Sequence, residues 1–371
     1  MDEALDGYVP ILRAGNISSQ LNLADNLLWV PECRVSEKQH LKIDDVVICM
    51  SSGSKAIVGK CAPLETDWRG SVGAFCAIIR PNSNLIVPAF LSYFLKSPAF
   101  RQWNSKSEGI NIKNIRKSVL ESYRLSLPSL AEQRRIVDIL SRAEGIVRLR
   151  REAQKKAAEV IPALFLDMFG DPATNPKGWP VVSIGDVIVA ADYGSSKKAS
   201  DYGVGIPFIR MGNVDYAGYT DLSNLKYLEL PPKEIEKYRL QEGDILFNRT
   251  NSKELVGKTG LWDGSCEAIA ASYFIRLRVK RKILNPFYLW VFLNTAYMKR
   301  VLFETARGAI GQSNINAKEL KAFIIGLPSI NLQNDFERRC SDLFAIKTQQ
   351  SAATVKAEAT FDALLAHNFS G

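Results

Sequence analysis

The chain has 371 residues, 46% of them hydrophobic and 23% charged, with a formal net charge of +9. That length exceeds one ordinary domain, the balance excludes wholesale disorder, and no apolar run approaches the roughly 18 residues that a membrane span needs. Six cysteines form no C-x-x-C pair and only two histidines accompany them, so no zinc set can be assembled and reduced thiols are expected. In chain order, MDEALDGYVP at the start carries neither a positive leader nor an apolar core, and a cytoplasmic location is expected. Gly7 to Ile17 reads as a strand running into a turn, with Gly15-Asn16 expected to supply positive φ. Leu41 to Cys61, LKIDDVVICMSSGSKAIVGKC, reads as an apolar strand, a polar loop with a lysine and a second short strand. Pro88 ahead of an apolar run starts a helix, and Leu127-Pro128-Ser129 leads into a long one.

That helix, Leu130 to Phe169, carries Ile136, Leu140, Ala143, Val147, Ala153 or Gln154, Ala157, Ile161, Leu164 and Met168 at mostly three- and four-residue steps. Such a seam packs along one partner helix. The partner lies 200 residues on, where Ile136 falls on Phe336, Leu140 on Cys340, Ala143 on Leu343, Ala153 on Ala353, Ala157 on Ala357, Ile161 on Phe361 and Leu164 on Leu364. Arg150 and Gln350 share one seam position, and either fix register or are irregularities tolerated near solvent.

The same offset reveals that the whole chain is a divergent repeat. Gly203 to Val214 matches the opening strand, placing Pro207 on Pro10, Arg210 on Arg13 and Gly212-Asn213 on Gly15-Asn16. Leu240 to Gly260, LQEGDILFNRTNSKELVGKTG, matches the hairpin, with Asp244 on Asp45 and Val256-Gly257-Lys258 on Val58-Gly59-Lys60. Pro286 matches Pro88, Gly311 to Ile315 matches Glu108 to Ile112, and Leu327-Pro328-Ser329 leads into the second long helix. The expected organisation is a first mixed α/β domain over 1–129, a long helix over 130–169, a linker over 170–180, a second domain over 181–329 and a second long helix over 330–371. Trp179 to Tyr202 has almost no counterpart ahead of Gly7, so the opening segment of the first domain is expected to be missing.

No catalytic set emerges. VGKTG at Val256 to Gly260 resembles a phosphate loop, but Ser252 stands where that pattern needs glycine. Asn285 to Tyr288, NPFY, lacks the second proline of an amino-methyltransferase motif, and Glu319-Leu320-Lys321 is only half of a nuclease pattern. Neither histidine has a Ser or Asp context for nucleophilic catalysis. What recurs instead is loops dense in side chains that suit nucleic acid. As groups, the loop residues Ser51, Ser52, Ser54, Lys55 and Lys60 of the first copy face Arg249, Asn251, Ser252, Lys253 and Lys258 of the second, and Asn111, Lys113 and Arg116 face Gln312, Asn314 and Lys318. Arginine and lysine suit guanine edges and phosphates, and asparagine and glutamine suit adenine.

The chain resembles the specificity subunit of type I DNA restriction-modification systems. The resemblance rests on the twice-repeated Pro-x-x-Arg-x-Gly-Asn strand, the Gly-Asp-Ile-Leu-type strand before a polar loop and Gly-Lys, LPSLAEQRRI at Leu127 to Ile136, and above all MFGDPATNPKGWP at Met168 to Pro180. It implies two target-recognition domains of mixed α/β fold in pseudo-two-fold arrangement, joined by two long helices in an antiparallel coiled coil. Each domain would read one half of a bipartite site in double-stranded DNA. Two methyltransferase subunits and separate restriction and translocase subunits would be the partners, so the chain itself would be non-catalytic and hold no cofactor. The DNA contacts expected are Arg13, Ser52, Ser54, Lys55, Lys60, Asn111 and Lys113 in the first domain, with Arg210, Arg249, Asn251, Lys253, Lys258, Gln312 and Asn314 in the second. Partner contacts are expected at Gln133, Arg134, Arg148, Glu152 and Gln333. A DNA-modifying enzyme acting alone, or a two-arm protein adaptor, remains open on the residues themselves.

Overall fold

The computed structural model describes residues 6–54, 57–102, 114–200, 203–309 and 312–369. Two compact units form, one from 1–152 with 350–371 and the other from 153–349. Each therefore takes a segment of both long helices.

In the first unit, β1 (Tyr8–Leu12) pairs antiparallel with β2 (Leu28–Pro31) and parallel with β5 (Ser71–Val72), and β3 (Val46–Cys49) lies between β4 (Cys61–Pro63) and β6 (Cys76–Ile79). Strand β3 has no polar alternation because it is a wall with a core on each side. Val46 and Ile48 face Phe90, Phe94 and Phe100, while Val47 and Cys49 face Leu12, Leu41 and Leu64. Helix α1 (Pro88–Lys96) begins at the expected proline, and α2 (Lys117–Ser122) precedes the long α3 (Leu130–Phe169).

The second unit repeats the plan. It opens with β7 (Val181–Ser183), α4 (Ile184–Val187) and β8 (Ile188–Tyr193), followed by β9 (Ile206–Ile209), β10 (Lys226–Leu228) and α5 (Pro232–Tyr238). The wall strand is now β11 (Ile245–Asn248), with Ile245 and Phe247 in one core and Leu246 in another. It lies between β13 (Thr259–Leu261) and β15 (Phe274–Val279), and β8 extends that sheet to four strands. Strand β9 pairs antiparallel with β10 and parallel with β14 (Ile269–Ala270), as β1 does with β2 and β5. Helices α6 (Pro286–Asn294) and α7 (Ala296–Thr305), the short strands β12 (Thr250–Asn251), β16 (Arg307–Ala309) and β17 (Gln312–Asn314), α8 (Ala317–Ala322) and β18 (Ile324–Gly326) lead to α9 (Ile330–Asn368).

Within the first unit the two long helices run antiparallel. Tyr93 of α1 donates to Glu144 of α3 at 2.9 Å and meets Phe361 of α9, and further along Arg151 pairs with Glu358 at 2.6 Å. Ile136 and Leu140 are buried in the same core as Leu365 and Phe369. In the second unit, Phe165 and Phe169 close on Phe336 with ring centroids at 5.8 and 5.2 Å. This corrects the expected seam at that end. Four-residue steps from Ile161 bury Phe165 and Phe169, which fill the space against Tyr288 and Phe336, and leave Leu164 and Met168 half-buried at its side. A second correction concerns Gly15 and Gly212, whose backbone φ is not positive. Ala14–Asn16 and Met211–Asn213 are 3-10 turns instead, closed from within by an asparagine.

Candidate nucleic-acid interface

The two Arg-x-x-Asn segments build identical corners at the ends of β1 and β9. The Arg13 amide donates to Asn16 Oδ1 at 3.0 Å, and the Arg210 amide to Asn213 Oδ1 at the same distance. Each buried asparagine then donates across to a following loop, Asn16 Nδ2 to the Asp25 carbonyl at 2.8 Å and Asn213 Nδ2 to those of Asp221 and Asn224 at 3.0 and 3.1 Å. The guanidinium groups grip the same loops, Arg13 on the Asn26 carbonyl at 2.8 Å and Arg210 on that of Asn224 at 3.2 Å. Buried amides need such partners, so this motif recurs as a loop brace. Arg13 remains exposed beyond it, while Arg210 is half-buried.

Beyond β11 the second unit gathers residues that lie about 60 positions apart. Thr250 pairs with Asn314 and Asn251 with Ser313, placing β12 beside β17, and β16 completes a three-stranded ribbon. Arg249 is held over the Tyr193 ring at 4.8 Å with its Nε donating to Asn314 Oδ1 at 3.3 Å. Stacking and a fixed acceptor pre-set its planar fork, the geometry that bidentate recognition needs. Asn251 and Asn314 flank it, and exposed Lys253 lies 4.4 Å from the Phe303 ring. The backbone of Gln312 belongs to the same ribbon.

Among its described residues the first unit shows the same crossing. Ile115 donates its amide to the Met50 carbonyl at 2.7 Å, as Ile315 does to that of Arg249 at 2.9 Å, and Ser51 forms a bridge with Asn114 as Thr250 pairs with Asn314. These equivalent bonds set Ile315 on Ile115 and correct the expected match of Gly311 to Ile315 with Glu108 to Ile112 by three residues. Ser52 is half-buried on this loop, and Ser54 and Lys60 are exposed. Lys55, Asn111 and Lys113 lie outside the described residues.

Three expected contacts are placed differently. Lys258 is only 7% exposed, and its Nζ donates to the carbonyls of Met211 and Val214 at 2.8 and 2.6 Å. It pins the Arg210 corner to the hairpin and is not available to DNA, although its counterpart Lys60 is. Burial also lowers its pKa. Gln133 and Gln333 are fully buried, and every polar atom of each side chain is used inside its own unit. Gln133 Oε1 accepts from the Val87 amide at 2.8 Å, and its Nε2 donates to the carbonyls of Leu85 and Pro128 at 3.0 and 2.9 Å. Gln333 repeats this with the Asn285 amide at 2.8 Å and the carbonyls of Ile283 and Pro328 at 3.1 and 2.9 Å. They staple the start of each long helix to the turn before α1 or α6, whereas Arg134, Arg148 and Glu152 are exposed.

The sequence repeat showed Asp45 and Asp244 but not their partners. Each is buried, accepts from the backbone amide of Lys42 or Gln241, and pairs with an arginine, Arg80 at 2.7 Å or Arg278 at 2.9 Å. The signal was present as a second equivalent pair, Arg80 and Arg278. Tyr193 beneath Arg249 was also missed, because nothing local to it marks a role. Among the described residues no group of three or more His, Cys, Asp or Glu could hold a metal ion, and no helix is long and apolar enough to cross a membrane.

Comparison with known proteins bears on this geometry. The model of the family described as the type I restriction modification DNA specificity domain matches residues 2–159 and 176–356. The EcoKI type I restriction enzyme specificity subunit of Escherichia coli (strain K12) is 30% identical over 386 residues, covering 99% of this chain and 82% of its own length. The StySPI specificity subunit of Salmonella potsdam is 31% identical over 391 residues, with the same coverage of 99% and 82%. Among solved structures, a chain from work on complex assembly and conformational transition of the type I R-M system aligns with a TM-score of 0.60 at 20% identity, covering 96% of this chain and 90% of that one. The S subunit of such a system from M. genitalium aligns at 0.50 and 14% identity, with coverage of 96% and 90%. These two likenesses show a shared fold.

Proposed function

The chain belongs to the type I restriction-modification DNA specificity family, and we propose that it is the non-catalytic subunit that reads a bipartite target in double-stranded DNA. In this reading residues 1–129 and 181–329 are the recognition domains, one for each half-site. The long helices serve assembly, with exposed Arg134, Arg148 and Glu152 offered to methyltransferase subunits, two of them per chain, and restriction subunits joining that complex in the cytoplasm. The observation that carries the reading is the ribbon of the second unit, which brings Arg249 and Asn251 beside Asn314 and fixes the Arg249 fork over Tyr193. Ordered arginine and asparagine side chains on a rigid support are what base-edge readout requires. Ser52, Ser54 and Lys60 are the matching contacts of the first domain.

The test is a variant in one ribbon. Asn251→Ala, in the complex of the chain with its methyltransferase subunits, should relax or weaken one half of the methylated target and leave the other intact. A lost bidentate base contact costs about 1–3 kcal/mol, or roughly 5- to 150-fold in affinity for that half-site. Methylome sequencing of cells carrying the variant reads this directly. Change in both halves together would overturn the division of labour.

A further inference from the structure

Phe75 is 67% exposed and Tyr273 is 42% exposed, and they occupy the same place in the two units. The equivalence is set by backbone hydrogen bonds. Gly73 donates to Leu12, Cys76 to Gly73 and Met50 to Phe75, each at 2.8 Å. Ala271 donates to Ile209 at 2.9 Å, Phe274 to Ala271 at 2.9 Å and Arg249 to Tyr273 at 2.8 Å. Each aromatic therefore stands at the tip of a tight turn and is locked by its carbonyl to the first residue after the wall strand, where the polar recognition loop begins.

A single exposed apolar side chain needs no explanation. An exposed aromatic kept at one turn tip in both copies of a divergent repeat does, because its ring contributes little to either core. Its surroundings say what it could meet. In the first unit Phe75 borders a depression of about 550 Å³, whose walls include Leu28 and the Arg13–Asn16 corner. An apolar floor beside an arginine and a serine-rich loop suits the edge of a base pair, where a methyl group lies among hydrogen-bonding atoms. In the second unit the residue in the register of Leu28 is Lys226, since Ile11 pairs with Leu28 and Phe208 with Lys226. The two aromatic tips thus sit in different frames, as two different half-sites would need.

We infer that Phe75 and Tyr273 are specificity-determining residues, each placing its ring against the apolar edge of a base pair, the thymine methyl group, in the half-site its own domain reads. This rests on the DNA-specificity function proposed above. A ring neutralises no phosphate, so its contribution to affinity is independent of salt, unlike that of a lysine.

The experiment uses the chain co-purified with its methyltransferase subunits. Its target is first selected from a random duplex pool, and each thymine in the selected target is then replaced in turn by uracil, which removes only the methyl group. For the wild type, one uracil in each half should weaken binding by about fourfold, the worth of one buried methyl. Phe75→Ala should lose roughly tenfold on that half or more, become insensitive to its uracil, respond normally in the other half and keep the wild-type dependence on salt. Tyr273→Ala should do the same in the opposite half. Val189→Ala, which trims an equally exposed apolar residue on β8, should leave binding unchanged. If the wild type selects no bipartite target, the proposed function fails. If it does, and either aromatic variant keeps wild-type affinity or its sensitivity to uracil, the assignment of the rings is overturned. It is equally overturned if Phe75→Ala loses the methyltransferase subunits instead, since the ring would then face protein.

Discussion

Lys60 and Lys258 follow the same Val-Gly pair, yet one is exposed and the other has its ammonium sealed against the carbonyls of Met211 and Val214. Replacing Lys258 by methionine keeps the apolar stem but strands those carbonyls without their donor. A cost of about 1–3 kcal/mol is expected, read as a lower urea midpoint at unchanged slope. Nearby Lys299 behaves oppositely. Its Nζ lies 4.8 Å from the Tyr216 ring and finds no hydrogen-bond partner among the described residues. Burial, followed by repulsion from Lys258, pushes its pKa down to about 8, against about 10.4 for an unfolded lysine. Between those values the unfolded chain binds more protons than the folded one, so stability rises with pH through that window. Below it, both states carry the charge and the folded one bears the burial penalty. Lys299→Met should therefore melt above the wild type at pH 7, and the gap should narrow as pH climbs from 8 towards 10. A gap that stays constant across that range would show that Lys299 does not titrate there.

At the scale of elements, the glutamine staples decide where the long helices begin. Gln333→Leu has nearly the right shape but leaves the Asn285 amide and the carbonyls of Ile283 and Pro328 unpaired. The second unit should lose about 1–3 kcal/mol in urea unfolding. Arg148→Ala, on the exposed face of α3, should instead leave stability within about 0.5 kcal/mol and weaken co-purification of the methyltransferase subunits. Equal stability of the two variants would remove the staple. The helices themselves were legible in the sequence because a three-four period over forty positions has no other reading, and α3 runs from Leu130 to Phe169 as expected. The hairpins were legible because strand, loop and strand recur twice. What the sequence hid was direction. Periodicity does not distinguish Leu164 from Phe165 until Tyr288 and Phe336 arrive from elsewhere in the chain, and Gln133 looks like a surface residue until the turn before α1 comes down on it. Of the candidate interface, the loops were visible and their convergence was not. Asn251 and Ser313 meet only through a ribbon whose strands are two or three residues long, too short for any periodic signal.

For the molecule as a whole, the repeat and the net charge of +9 make one argument. Two units, each with a wall strand feeding a polar loop, present the side chains proposed above to read bases, and contacts of that kind supply selectivity. The larger share of the affinity in protein–DNA complexes comes from phosphate contacts and the counterions they release. The logarithm of affinity should accordingly fall linearly with the logarithm of salt concentration, by about 0.9 for each phosphate neutralised. A complex touching six to ten phosphates would lose about 10³- to 10⁵-fold between 50 and 200 mM salt. The two kinds of residue then separate in one experiment. Lys253 is exposed at the ribbon with its ammonium over the Phe303 ring, a point charge suited to phosphate. Lys253→Ala should lower affinity similarly for all sequences and reduce the salt slope by about one. Arg249, forked and stacked on Tyr193, is suited to a base edge. Arg249→Ala should leave discrimination at one position of its half-site reduced by about 1–3 kcal/mol. Fluorescence-anisotropy titrations of matched and mismatched duplexes across a salt series distinguish these outcomes. A salt-insensitive affinity, or a Lys253→Ala variant that alters sequence preference and not slope, would contradict the assignment of charge to the backbone and of the ordered arginine to the bases.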